Sequence, residues 1–180
     1  MQWIAVATLG GALLLDVLGP QVYAGEKYAA PAPLLAQTGW ESGGIGGALP
    51  DVVLTHGGRF VRARDLRPAV LLLVSPECRC IDEIRHVVAQ TDGSGIRVYV
   101  VGAAGRRQVQ LIAAQARGDA VPLLDQPGGL HDHYTAAGQQ LLLVREDGIV
   151  VDIIDEVDRD VPLRSMLPAL LKAPGQMGSR

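Results

Sequence analysis

The sequence predicts an α/β domain with a central mixed sheet flanked by helices, preceded by a hydrophobic N-terminal helix. Three observations predict it. Val70-Leu71-Leu72-Leu73-Val74 is an unbroken apolar run of strand length, the pattern of a strand buried on both faces. Behind it, segments with helical apolar spacing alternate with short apolar runs, the order in which helices connect parallel strands. Near the C-terminus, Arg145-Glu146-Asp147-Gly148 separates two further apolar runs, and its Asp-Gly is the mark of a tight antiparallel hairpin.

The 180 residues include 16 Lys and Arg against 19 Asp and Glu, a net charge of −3. No basic stripe interleaved with aromatics occurs, so a nucleic-acid partner is not expected. Residues 1–18 read as a hydrophobic anchor or signal segment. Trp3 to Leu15 is apolar or small throughout. That is short of the ~20 residues of a spanning helix but long enough for a signal-peptide core. Val22-Tyr23-Ala24 resembles a small-residue cleavage site, although no Lys or Arg precedes the apolar run. An uncleaved anchor is the reading adopted. It makes the membrane a partner through this segment and places the domain outside the cytoplasm, periplasmic or extracytoplasmic, where disulfides persist. Cleavage would make the protein secreted. Residues 19–45, rich in Gly, Pro and Ala, form a tether, because such a composition buries too little apolar surface to fold alone. The domain proper spans residues 46–173, and residues 174–180 are a flexible tail.

Within the domain, residues 49–55 and 59–62 flank His56-Gly57-Gly58 and predict a hairpin of two short strands. Asp65-Leu66-Arg67-Pro68 is a turn into the central strand at residues 70–74. Ser75-Pro76 stops that strand, since proline donates no ladder hydrogen bond. A helix follows from about Glu77 to Gln90, with Ile81, Ile84, Val87 and Val88 on one face, ended by Thr91-Asp92-Gly93-Ser94-Gly95. Residues 96–101 form a second strand. Residues 104–117 form a helix with Val109, Ile112 and Ala113 facing inward. Residues 121–125 are a short extended segment, and residues 130–137, carrying His131 and His133, form a short helix. Residues 141–144 and 149–154 are the strands of the Asp-Gly hairpin, and residues 161–173 form an amphipathic helix. The acidic run Asp152, Asp155, Glu156, Asp158 and Asp160 is a solvated strand end.

The only two cysteines, Cys78 and Cys80, fall where the central strand hands over to a helix. Thiols at a helix N-terminus feel the positive end of its dipole, which favours the reactive thiolate. Residues two apart on a helix point to nearly opposite sides, whereas a disulfide needs its Cβ atoms about 4 Å apart. The two cysteines therefore pair only if Cys78 lies in the turn before the first helical residue. Thiol–disulfide exchange assigns Cys78 as the attacking thiolate and Cys80 as the resolving thiol, with Arg79 adding positive charge and Glu77 moving a proton. No cofactor is called for and no metal ligand set is assigned. Two thiolates one residue apart also suit a soft ion such as Cu(I). His86, His131 and His133 are read as lone surface histidines.

The element order, with a cysteine pair after the first core strand, resembles the thioredoxin fold. More narrowly, it resembles the membrane-anchored thioredoxin-like thiol–disulfide interchange proteins of bacteria. The matching pieces are Gly46-Gly47-Ala48-Leu49-Pro50-Asp51, His56-Gly57-Gly58 with Asp65-Leu66-Arg67, and residues 70–74, 75–84, 121–125 and 141–151. Leu18-Gly19-Pro20-Gln21-Val22-Tyr23 and Glu26-Lys27-Tyr28-Ala29-Ala30-Pro31-Ala32 look like the segment after the anchor in methylamine-utilisation accessory proteins, implicated in disulfide formation in the methylamine dehydrogenase small subunit. The resemblance implies exchange with a protein substrate bearing thiols or disulfides.

Three departures from the family pattern stand out. The chain has Cys78-x-Cys80 where the family has Cys-x-x-Cys. Cys80 falls on the second cysteine, and either Glu77 or, with a one-residue gap, Cys78 falls on the nucleophile. The family's cis-proline position falls on Gln139, with Gln140 beside it. A cis bond before a non-proline costs about 3 kcal/mol, so a trans peptide is expected, in a substrate groove altered around Pro76, Arg79, Gln139 and Gln140. The central strand lacks the family's buried acid, and Glu77 is the only carboxylate near enough in sequence to substitute. Two alternatives stand beside exchange: a redox-inactive binding or assembly module, and a Cu(I) metallochaperone. For the latter, the histidines lie upstream of the family's copper position.

Overall fold

In the computed structural model the residues described are 42–103, 105–116, 119–127, 129–134 and 139–171. The expected anchor and nearly all of the tether, together with the tail, lie outside them. No described helix is long and apolar enough to cross a membrane.

The His56-Gly57-Gly58 turn forms as expected, joining β1 (Val53–His56) to β2 (Arg59–Arg62). Gly57 and Gly58 both have positive φ, 55° and 87°, which a two-residue hairpin turn demands. The apolar run becomes β3 (Ala69–Val74), every residue of which is buried. The remaining strands are β4 (Arg97–Gly102), β5 (Val121–Leu124), β6 (Gln139–Val144) and β7 (Val150–Asp155). All seven join one sheet in the order β2-β1-β5-β4-β3-β6-β7. β3 runs parallel to β4 and antiparallel to β6, while β4 runs parallel to β5, so the sheet is mixed.

Strand parity sorts β3 between two cores. Val70, Leu72 and Val74 face a core shared with α1 (Ile81–Thr91), α2 (Arg106–Gln115) and α4 (Leu163–Leu170). Those helices contribute Ile84, Val87 and Val88; Val109, Ile112 and Ala113; and Leu163, Leu167 and Leu170. Leu71 and Leu73 face the opposite core with Leu54, Leu66, Tyr134 and Leu130, the last from α3 (Leu130–His133). Each fully buried aliphatic side chain contributes about 1.5–3 kcal/mol, so β3 anchors both layers.

Three boundaries differ from expectation. α1 begins at Ile81 rather than near Glu77, because the chain first folds back on itself: the Cys78 N–H donates to the Ser75 carbonyl at 3.1 Å. Gln139 and Gln140 belong to β6 rather than preceding it, opposite Val74 and Leu73 of β3. The last helix starts at Leu163, after Pro162 at its N-cap, rather than at residue 161.

Candidate thiol site at the end of the central strand

β3 delivers the chain to Ser75, and the six residues from Ser75 to Cys80 pass from strand to helix without regular structure. Cys80 is the N-cap of α1 and Cys78 lies two residues before it, so neither side chain is held on a helical face. The two sulfurs are bonded to each other, with Cα atoms 5.3 Å apart, inside the ordinary range for a disulfide. The bridge is lopsided. Cys80 is buried, 5% exposed, against the α1–α2–α4 core, whereas Cys78 is only half-buried. Cys78 also borders an open groove of about 670 Å³, walled by Arg79, Asp82 and Arg85 on one side and by Ala114 and Gln115 of α2 on the other.

Two side chains from distant elements hold the backbone of this turn. Gln108 in the first turn of α2 donates its amide to the Pro76 carbonyl. His131 of α3 brings Nε2 to 3.2 Å from the Val74 carbonyl, at the end of β3. The other ring nitrogen, Nδ1, lies 2.7 Å from Asp125 Oδ2.

Asp125 follows β5 directly and is 5% exposed. Its Oδ1 accepts the backbone N–H groups of Gln126 at 3.0 Å and Leu130 at 3.1 Å, and its Oδ2 accepts that of His131 at 2.8 Å. Burial pushes its carboxyl up. The hydrogen bonds and charge of His131 and the Leu130 N–H outweigh burial, and the net shift is downward from 3.8. Gly129 makes room for this arrangement, since a Cβ there would collide with Asp125 Oδ1.

His131 is therefore not the lone surface histidine expected from sequence. The fold also brings a carboxylate from a distant element to the end of β3, Asp125 through His131, while Glu77 is exposed on the turn itself. In the sequence Asp125 reads only as the end of an extended segment. The available signal was an acid and a histidine either side of Gln126-Pro127-Gly128-Gly129, a stretch able to fold back on itself.

The other candidates are dispersed. Pro76 and Arg79 are exposed on the turn beside the bridge. Gln139 sits opposite Val74 and donates its amide to the Val157 carbonyl, and the peptide bond before it reaches residue 138, outside the described residues. Gln140 is buried, 7% exposed, with its amide donated to Asp155 across the β6–β7 pair. Among the described residues, no three His, Cys, Asp or Glu side chains cluster so as to hold a metal ion.

No protein-family model matches the sequence, and no curated protein matches it. Solved structures do match. A secreted Mycobacterium tuberculosis disulfide oxidoreductase, homologous to E. coli DsbE, superposes with a TM-score of 0.55 at 18% identity, over 67% of this chain and 96% of that one. A Thermus thermophilus thio-disulfide isomerase gives 0.56 at 23% identity, over 72% and 99%. The copper-bound ScoI of Arabidopsis thaliana gives 0.52 at 13% identity, over 69% and 96%. These likenesses define the fold: the chain is an α/β protein of the thioredoxin-like class, with a Cys-x-Cys pair at the end of its central strand.

Proposed function

We propose that this protein is a thiol–disulfide oxidoreductase acting outside the cytoplasm on the thiols of a partner protein, through the Cys78–Cys80 bridge. The observation that carries the reading is the asymmetry of that bridge, one sulfur half-exposed on a groove and the other buried. A partner thiolate attacks Cys78 Sγ, the Cys78–Cys80 bond breaks, and Cys80 leaves as thiolate and takes up a proton. A second partner thiol then attacks the mixed disulfide. The partner gains a disulfide, Cys78 leaves reduced, and two electrons and two protons have passed to the pair. Run backwards, the same steps reduce a partner disulfide. Arg79, next to both sulfurs in sequence, favours the thiolates, and Glu77 carries protons to solvent.

The likeness to secreted and thiol–disulfide interchange proteins supports an extracytoplasmic setting, and the apolar run at residues 3–15 supports delivery there by an anchor or signal segment. A disulfide-bearing dehydrogenase subunit, of the methylamine dehydrogenase kind, is the partner that residues 18–32 suggest.

The test is insulin reduction by the full chain with dithiothreitol. Activity in the parent that Cys78→Ser abolishes supports the reading. A parent no faster than the uncatalysed control leaves a thioredoxin-like binding module in its place.

A further inference from the structure

We propose that the groove between α1 and the C-terminal end of α2 docks an acidic segment of the partner, beside the partner's reacting cysteine. This names the substrate class for the exchange reading and rests on it. Cys78 lies on the groove's rim, so whatever occupies the groove is presented to the accessible sulfur.

The charges there are unequal. Arg79 and Arg85 line the groove against one carboxylate, Asp82. That carboxylate is already neutralised: its Oδ1 is 2.6 Å from Arg85 Nη1 and its Oδ2 is 3.4 Å from Arg159 Nη2. Among the lining residues two arginines against one aspartate leave a local charge of +1 (2 − 1), against a whole-chain charge of −3. Glu77 and Glu83, the nearest other acids in sequence, are not among the groove's lining residues.

One of these donors is also under-used. Arg79 is exposed and makes no hydrogen bond or ion pair within the described residues. Arg85 pairs with Asp82 and also reaches across the groove to the Gln115 carbonyl at 3.3 Å. The exposed Arg79 is the guanidinium that a carboxylate of an incoming segment can reach, and the fork of a carboxylate matches it. Arg106 and Arg107, exposed in the first turn of α2 beside Gln108, extend the positive field toward the thiol turn. An open groove of about 670 Å³ has room for a stretch of peptide rather than a single ion. Approach of such a segment is steered by this field, and the steering weakens with salt.

The test uses the oxidised full chain and three fluorescent twelve-residue peptides carrying a central serine in place of cysteine, flanked by Asp and Glu, by Gln, or by Lys. The acidic peptide binds about tenfold more tightly than the Gln peptide at low salt, and the Lys peptide does not bind. Arg79→Glu removes the preference, whereas Arg62→Glu on β2 leaves it intact. Equal affinities for all three peptides, or an Arg79→Glu protein that binds the acidic peptide as before, overturn the proposal.

Cysteine versions of the same peptides separate this from the exchange reading. If the acidic peptide binds but the cysteine peptides do not exchange with the oxidised protein, nor bis(2-hydroxyethyl) disulfide with the reduced protein, the dock stands and the chemistry fails. If all peptides exchange at one rate, the chemistry stands and the dock fails.

Discussion

Asp125 holds His131 twice: Oδ2 accepts its backbone N–H at 2.8 Å and faces its ring Nδ1 at 2.7 Å. The same ring turns Nε2 to the Val74 carbonyl. Both ring nitrogens thus face acceptors, so an imidazole carrying both protons satisfies both, while a neutral ring satisfies one. This connection links the end of β5 to the end of β3, the strand that presents the cysteines.

Removing the carboxylate orphans several donors at once. Asp125→Ala leaves the N–H groups of Gln126, Leu130 and His131 and the ring of His131 without their acceptor in a buried site, at a cost of about 3 kcal/mol. Asp125→Asn keeps one acceptor oxygen and costs less. Urea denaturation should rank the proteins parent, Asn, Ala. A parent and an Ala variant of equal midpoint would show that these bonds contribute nothing to stability.

The same carboxylate makes stability fall in acid. Its folded value lies below 3.8, so wherever the unfolded chain takes up a proton that the folded chain refuses, folding weakens. The contribution is complete above about pH 4 and is lost as pH falls through the folded value. Urea midpoints measured from about pH 6 down to about pH 2.5 should drop more for the parent than for Asp125→Asn. Parallel curves would remove Asp125 as the source.

Much of this architecture is legible in the sequence, and the limits are physical. Val70 to Val74 is apolar at every position, which only a strand covered on both faces tolerates, and β3 is that strand. Gly57-Gly58 and Asp147-Gly148 supply turn geometry locally, so both hairpins were readable. The inward face of α2 was readable because Val109, Ile112 and Ala113 are spaced by helical period alone. The start of α1 was not. The spacing of Ile81, Ile84, Val87 and Val88 defines a face but says nothing of where the first turn begins, and the chain uses Ser75 to Cys80 for a turn and a bridge instead. The Asp125–His131–Val74 connection was hidden for a different reason. It spans 57 residues and exists only because β5, β4 and β3 are neighbours in the sheet.

The burial difference between the sulfurs predicts their order of reaction. After reduction, brief treatment with iodoacetamide followed by mass spectrometry of the peptides should find Cys78 modified at least about tenfold faster than Cys80, because the buried thiol is shielded from the reagent. With a partner peptide presented as a disulfide, the Cys78 thiolate of Cys80→Ser should attack it, release one peptide thiol and accumulate a mixed disulfide, and Cys78→Ser should accumulate little. Equal labelling of both thiols would contradict the assigned roles.

Gln108 and His131 clamp the thiol turn from opposite cores, so their loss should speed opening of the bridge without touching either sulfur. Gln108 sits on α2, in the layer with α1, and holds the Pro76 carbonyl; His131 sits on α3, in the other layer, and holds the Val74 carbonyl. Each bond contributes about 1 kcal/mol net, so each loss makes the turn about fivefold more mobile locally. Gln108→Ala and His131→Leu should each raise the rate at which a small phosphine reduces Cys78–Cys80 by about that factor. Their effects should add in the double variant, since the clamps act on different carbonyls and share no partner. His131→Leu should also lower global stability, because it strips a bond from Asp125, whereas Gln108→Ala should leave the urea midpoint nearly unchanged. A reduction rate that follows the urea midpoint across the three variants would mean that the bridge opens only by global unfolding, and that neither side chain governs access to the sulfurs.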